Sequence, residues 1–171
     1  MQAPSACNQQ PWEFYVVTDK EKILELSKAT PYSGCAAGAP VVIVPVYRKE
    51  GLPVQDMAQI DMSIAQENIW LETDALGLGG VWIGIAPLKD RMALVHDILK
   101  LPENVEVFSH FCPGIPSREQ KAAGSFDKSR IHFVESKKAF FEEDNIRKQK
   151  KFECSENTNK SSENLCRTHF A

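Results

Sequence analysis

A chain of 171 residues, 43% apolar and 25% charged, is long enough to bury roughly 70% of its unfolded surface in one core. Its formal net charge of −3 leaves no excess of cations for displacing counterions from a phosphate backbone, which argues against nucleic acid as a partner. No run reaches about 18 uninterrupted apolar residues, and the start MQAPSACNQQP has neither the basic nor the apolar region of a secretory signal, so the expectation is a soluble, cytoplasmic protein. Cys7, Cys35, Cys112, Cys154 and Cys166 are scattered without a CxxC pair, so neither a metal site nor a disulfide framework is indicated and reduced thiols are expected.

WEFYVVT (12–18) is rich in aromatic and β-branched residues and predicts a strand, ending at Thr18–Asp19 where a helix over KEKILELSKA can be capped. APVVIVPVY (39–47) is a continuous apolar run of strand length, which suits a strand covered on both faces. After Pro53, a helix of about 20 residues is predicted from Asp56 to Leu76, ending at Gly77. Met57, Ile60, Ile64, Asn68, Leu71 and Ala75 fall at helical spacing, and Asp56 followed by Gln59 has the form of a capping box. Ile60, Ile64 and Leu71 mark one apolar stripe while Met62, Ile69 and Trp70 lie off it, and two apolar faces require two partners. VWIGIAP (81–87) then predicts a buried strand, KDRMALVHDILK a helix, VEVFSHFC (105–112) a strand and RIHFVE (130–135) a last short strand. Strands and helices interleave around one sheet, so the class is α/β or α+β.

The charge changes sign near residue 136: residues 1–135 hold 12 Lys+Arg against 17 Asp+Glu, and residues 136–171 hold 8 against 6. The second segment has few aliphatic residues and an Asn/Ser/Lys-rich middle, which cannot offset ordering entropy by burial. It is expected to be a polar, charged C-terminal tail, partly helical or disordered, with residues 1–135 as the domain.

Candidate chemistry concentrates in two places. Pro4-Ser5-Ala6-Cys7-Asn8-Gln9-Gln10-Pro11-Trp12 packs a hydroxyl and three amides between two prolines; amides donate and accept, which suits a heteroaromatic edge of alternating carbonyl and N–H. Gly77-Leu78-Gly79-Gly80-Val81-Trp82-Ile83-Gly84 follows the long helix. Gly77 and Gly79 are explained by a helix cap and turn. Gly84 within a strand points instead to close approach by a ligand or another backbone.

APSACNQQPWEF before a strand, the run D-x-x-x-A-x-x-N-x-x-L-x-x-x-A-L-G-L-G-G-V-W-I-G from Asp61 to Gly84, and Gly114-Ile115-Pro116 after a strand together resemble the nitroreductase family of FMN-dependent NAD(P)H oxidoreductases, over about residues 3–135. The resemblance implies an α+β fold, a three-layer sandwich with a mixed, mainly antiparallel sheet flanked by helices. It also implies a homodimer with two FMN molecules at the subunit interface and the long helix packed across the dimer axis. Pro4, Ser5 and Asn8 match the loop that reaches the partner subunit's FMN, with Gln10 in the next element. Trp82, Ile83 and Gly84 match the strand that passes the flavin, where a backbone N–H near Gly84 would meet the redox-active nitrogen and favour the reduced, anionic ring. No protein nucleophile is implied.

Two departures from the family pattern concern the phosphate. The chain starts inside what is usually the end of a first helix, so an Arg-rich element there is expected to be missing, and Ser125 stands where the family tends to place a basic residue. Arg118, Lys121, Lys128 and Arg130 are then the candidates to balance the phosphate charge. The implied activity is hydride transfer from NADH or NADPH to nitroaromatic or quinone-like acceptors by a ping-pong mechanism. The alternatives are a degenerate, non-catalytic flavin-binding subunit and a specialised chemistry such as flavin fragmentation or reductive dehalogenation. His96 and His110 lack metal-ligand spacing and are read as structural. Asp61 and Glu67 are six apart on one helix and form no acid/base pair. Trp12 and Trp70 are read as core or interface anchors, and Cys7 as a small semi-buried thiol.

Overall fold

The computed structural model describes residues 2–118 and 126–134, and the chain divides into two units, Met1–Lys121 and Ala122–Ala171. Lys121, Ser125 and the expected tail over 136–171 lie outside the described residues.

The first unit is built on a five-stranded sheet. β1 (Trp12–Val17) pairs along its length with β2 (Val42–Arg48), from Trp12 opposite Tyr47 to Val17 opposite Val42. β2 also pairs with β4 (Val105–Val107) and β5 (Ser109–Gly114), and β5 pairs with β3 (Gly79–Gly84), which closes the path β1-β2-β5-β3. Every pairing among the described strands is antiparallel.

The expected strand over 105–112 is two strands broken at Phe108, and Pro45 explains the break. Phe108 donates its N–H to the Pro45 carbonyl at 2.9 Å, but Pro45 has no N–H to return, so the ladder cannot run on unchanged. Phe108 instead gives its carbonyl to the Ala86 N–H at 2.9 Å, transferring the chain from β2 to β3.

Three helices complete the unit. α1 (Lys20–Leu26) starts at Asp19, whose carboxylate accepts from Glu21 N at 2.8 Å and Lys22 N at 3.3 Å, the anticipated cap. α3 (Lys89–Leu99) ends at Lys100 in a left-handed conformation. α2 (Ala58–Ala75) ends at Gly77, whose φ of +72° suits glycine. The Asp56–Gln59 capping box does not form. Asp56 lies in a 3-10 turn over Gln55–Met57 that feeds directly into the helix, and Gln59 donates its amide to the Tyr47 hydroxyl instead.

α2 covers one face of the sheet, touching β1, β2 and β3. Trp82 and Phe111 point to that face, since their rings lie 6.3 and 6.0 Å from that of Trp70. Their strand neighbours Ile83 and Cys112 alternate to the other face, where Cys112 meets Cys35 of the 3-10 turn Ser33–Gly38, and that turn in turn packs on α1, itself against α3. The result is three layers, helix on sheet on helices, as expected. Val42, Val44, Val46, Val107, Ile85, Leu26 and Val95 form the core and are fully buried.

The sequence left open which face of α2 packs on the sheet, and the structure decides it. Ala58, Asp61, Met62, Ala65, Gln66 and Thr73 are buried, whereas Ile60 and Leu71 are 55% and 59% exposed. Two apolar faces of one helix have the same period, so spacing cannot rank them. The inward face accepts Asp61 because it receives two hydrogen bonds there, and Gln66 Oε1 accepts from Ser109 Oγ while Gln66 Nε2 has no partner among the described residues.

In the second unit, residues 126–134 contain a 3-10 turn, Lys128–Arg130, instead of the start of a strand over 130–135. Asp127 accepts from Ser129 N at 2.9 Å and Ser129 Oγ at 2.7 Å and pairs with Arg130, which curls the chain, and residues 131–134 have no strand pairing.

Candidate functional site

The loop from Pro4 to Pro11 is built on buried anchors. Asp61 of α2 accepts from the Ala6 N–H at 3.0 Å and from Gln9 Nε2 at 2.7 Å. The same Gln9 amide donates to the Val54 carbonyl at 3.1 Å and accepts from the Val54 N–H at 3.0 Å, so its hydrogen-bonding capacity is nearly exhausted inside the protein. Arg48, at the end of β2, donates to the carbonyls of Gln9 and Gln10, both at 3.0 Å. These contacts hold Cys7, Asn8 and Gln10 at φ of +48°, +53° and +45°, a left-handed backbone in three non-glycine residues of one short loop. Such conformations persist where surrounding structure imposes them, and they concentrate at binding sites.

On this frame Ser5 Oγ accepts from the Gln10 N–H at 3.0 Å, and Asn8 Oδ1 accepts from Gln10 Nε2 at 3.0 Å. With those acceptors engaged, the Ser5 hydroxyl hydrogen and the Asn8 amide N–H groups remain to donate outward. The loop therefore presents donors, which suit an acceptor-rich ring edge. Gln9, one of the three amides expected to face a ligand, turns inward as an anchor instead. Asp61 and Arg48 were not anticipated as parts of this site; a helical carboxylate and a strand-end arginine carry no local signature, and only the fold brings them together.

Trp82, Ile83 and Gly84 end β3. Ile83 is buried toward the helical layer opposite α2, so the strand can offer a ligand on the other face only its backbone and the Trp82 ring. β3 is the last strand of the sheet path, so alternate backbone N–H groups along it have no strand partner among the described residues. Gly84 is exposed, and a Cβ added there would meet nothing within 4 Å. It closes the strand, where an interior position was expected, and lies in an open cleft of about 440 Å³ lined by Gln59, Ile60, Ser63, Trp82, Ala86, Pro87 and Phe108. The sterically demanding glycine is Gly80, where a Cβ would lie 2.3 Å from Cζ of Phe111.

The polar edge of the cleft is tied to a network behind it. Gln59 Nε2 donates to the Tyr47 hydroxyl at 2.9 Å, Tyr47 donates to Glu106 at 2.6 Å, and Lys89 donates to both Glu106 oxygens at 3.2 Å. Burial foremost, with the hydrogen bond to Glu106, holds the Tyr47 phenol well above its usual range, so it stays protonated and donating. Burial alone would raise Glu106, but the hydrogen bonds from Tyr47 and Lys89 outweigh it and hold the carboxylate low. Since Tyr47 spends its proton on Glu106, it must accept from Gln59, and that fixes which end of the Gln59 amide faces Tyr47.

The structure brings Ser5, Asn8 and Gln10 together in one loop beside Pro4, and Trp82, Ile83 and Gly84 together in one strand, but the cleft that holds Trp82 and Gly84 is not lined by the loop residues. Arg118 is exposed and follows β5 by four residues; Lys121 lies outside the described residues. Lys128 and Arg130 belong to the second unit, where Arg130 pairs with Asp127 at 3.3 Å. His96 lies 3.3 Å from the Pro102 carbonyl, and Trp12 is buried in the core. Among the described residues there is no His/Cys/Asp/Glu group able to hold a metal ion, and no helix is long and apolar enough to cross a membrane.

The chain matches the model of the Nitroreductase family over residues 24–115. It is 39% identical over 137 residues to a protein of Archaeoglobus fulgidus provisionally named NADH dehydrogenase/NAD(P)H nitroreductase, covering 77% of this chain and 78% of that one. A crystal structure from Clostridium acetobutylicum, provisionally named NADH oxidase, is 39% identical with a TM-score of 0.75, over 80% of this chain and 82% of that one. An FMN-dependent nitroreductase of Clostridium difficile R20291 is 30% identical with a TM-score of 0.72, over 79% and 82%. A family match across more than half of the chain, together with relatives at this identity and coverage, establishes that the protein belongs to the nitroreductase family and is an oxidoreductase of the flavin type.

Proposed function

We propose that this protein is an FMN-dependent oxidoreductase that takes reducing equivalents from NADH or NADPH and passes them to electron-poor acceptors such as nitroaromatics or quinones, in alternating half-reactions and as a homodimer. The observation that carries this reading is Gly84: an exposed glycine at the end of an edge strand, with open space where a Cβ would be, in a cleft walled by Trp82, Phe108, Ala86 and Pro87. A flat ring needs that close approach, and the residues present fit one. FMN, when bound, supplies the hydride and electron transfer.

The chain's own residues hold and surround it. Trp82 and Phe108, with ring centroids 5.8 Å apart, form an apolar wall of the cleft. Those backbone N–H groups of Trp82–Gly84 that β5 leaves unpaired offer donors that stabilise negative charge on a reduced ring. Pro4, Ser5, Asn8 and Gln10 offer donors on a loop fixed by Asp61, and in a shared site that loop serves the partner subunit's cleft. Exposed Ile60 and Leu71 on α2, with Leu76 just beyond its end, supply apolar surface for such a partner. Arg118 and Lys121 are the cations we assign to the phosphate, each a charge-assisted donor to an anionic oxygen.

The test is direct. The purified protein should be yellow, or become so with added FMN, and should oxidise NADH or NADPH faster when a nitroaromatic is present. A protein that takes up no flavin overturns the proposal; one that binds flavin yet oxidises neither nucleotide is a non-catalytic flavin-binding subunit.

A further inference from the structure

Two thiols that are far apart in sequence lie side by side in one cleft. Cys35 is exposed in the 3-10 turn Ser33–Gly38, and Cys112 is buried in β5 opposite Val81. Both line an open cleft of about 420 Å³ together with Pro40, Gly79, Gly80 and Gly114. Neither the fold nor the proposed flavin chemistry requires an exposed thiol at position 35.

We propose that Cys35 and Cys112 form a dithiol site that a peroxide oxidises to an intrachain disulfide, with Cys35 as the thiol oxidised first and Cys112 as the resolving thiol. In the first step the Cys35 sulfur attacks one peroxide oxygen, the O–O bond breaks, and Cys35 becomes a sulfenic acid while its thiol proton passes to the departing oxygen, which leaves as an alcohol, or as water from hydrogen peroxide. In the second step Cys112 sulfur attacks the sulfenic sulfur, the S–O bond breaks, and the Cys112 proton leaves with the hydroxide as water. Two thiols and one peroxide thus give one disulfide, one alcohol and one water, with each sulfur losing one electron and the peroxide gaining two.

The environments divide these roles. Exposure gives the oxidant access to Cys35. Burial, reinforced by the neighbouring Cys35 thiol, pushes the Cys112 pKa up to about 12, so Cys112 stays protonated and inert toward an oxidant in solution. It reacts only with a sulfur already beside it. The disulfide would tie the turn before β2 to β5 and so fix one wall of the cleft next to Gly79 and Gly80.

The experiment uses the purified full-length chain, treated with hydrogen peroxide and digested without reduction for mass spectrometry. The expected result is a crosslinked peptide pair containing Cys35 and Cys112, a fall in free thiols from five to three per chain, and full reversal by dithiothreitol. In Cys112→Ser, Cys35 should accumulate as a sulfenic acid trapped by dimedone; in Cys35→Ser, Cys112 should stay reduced. Cys7, which is also exposed, is the internal control. Oxidation of Cys7 with Cys35 and Cys112 both left reduced overturns the proposal, as does a Cys35 sulfenic acid that persists in the wild-type chain or crosslinks only between chains.

Discussion

Gln9 Nε2 and Asp61 Oδ2, 52 residues apart in sequence, meet at 2.7 Å and are both buried, and this contact sets the shape of the loop that carries Ser5, Asn8 and Gln10. Asp61 acts here as an anchor and not as an acid or base. Asp61→Ala would leave the Gln9 amide and the Ala6 N–H without their acceptor, at about 1–3 kcal/mol for each unsatisfied group. We expect thermal unfolding to occur well below that of the wild type, with reduced flavin content, and Asp61→Asn to lose less because its carbonyl still accepts one of the two bonds. A variant within about 0.5 kcal/mol of the wild type would show that the loop is held by other contacts.

Gly80 and Gly84, four residues apart on β3, should respond oppositely to the same substitution. At Gly80 a Cβ runs into the Phe111 ring, so Gly80→Ala should destabilise by about 1–3 kcal/mol through overpacking. At Gly84 it meets nothing, so Gly84→Ala should leave the unfolding midpoint nearly unchanged, while Gly84→Val should fold and lose most of its flavin. Equal flavin occupancy in Gly84→Val and wild type would remove Gly84 from the site. A Gly80→Ala midpoint equal to that of the wild type would contradict the packing.

These two glycines show how far the sequence could be read. The order and types of the helices and strands up to Gly114, the Asp19 cap and the Gly77 stop follow from local chemistry and agree with the structure, whereas the start of the strand expected over 130–135 is a 3-10 turn. What local chemistry cannot supply is the partner across the fold. Gly80 looks like one glycine of a turn until β5 places Phe111 over it, and Phe108 looks like mid-strand until Pro45 is opposite. Likewise the loop motif was legible in Ser5 and Asn8, while its support in Gln9, Arg48 and Asp61 depends on three separate elements meeting.

The apolar groove along the C-terminal half of α2 yields a prediction about assembly. Leu71 and Leu76 are 59% and 66% exposed, and with Ala65, Ile69 and Ala75 they line an open apolar groove of about 740 Å³. We expect a dimer by light scattering at micromolar concentration, and we expect Leu71→Lys with Leu76→Lys to shift it toward monomer and to lower flavin content together, since the proposed site draws on both subunits. Retention of flavin by a monomeric double variant would show that one chain suffices. A wild-type monomer would contradict the assembly outright.

His110 provides a pH dependence whose sign can be worked out. It is fully buried on β5, neither ring nitrogen has a hydrogen-bond partner among the described residues, and burial lowers its pKa from 6.5 to about 4. Between those values the unfolded chain binds a proton that the native chain does not. The native state therefore loses stability as pH falls from about 6.5, and the loss levels off near pH 4 where the buried ring itself begins to protonate. At about 1.4 kcal/mol per pH unit, the whole effect is on the order of 3 kcal/mol. His110→Leu removes the titrating group and two unpartnered nitrogens without adding a polar atom. We therefore expect its denaturant-unfolding free energy to fall less than that of the wild type between pH 6.5 and 4, the remaining slope belonging to the carboxylates common to both. Parallel profiles for the two proteins would mean that the imidazole finds a proton acceptor in the folded chain and is charged there.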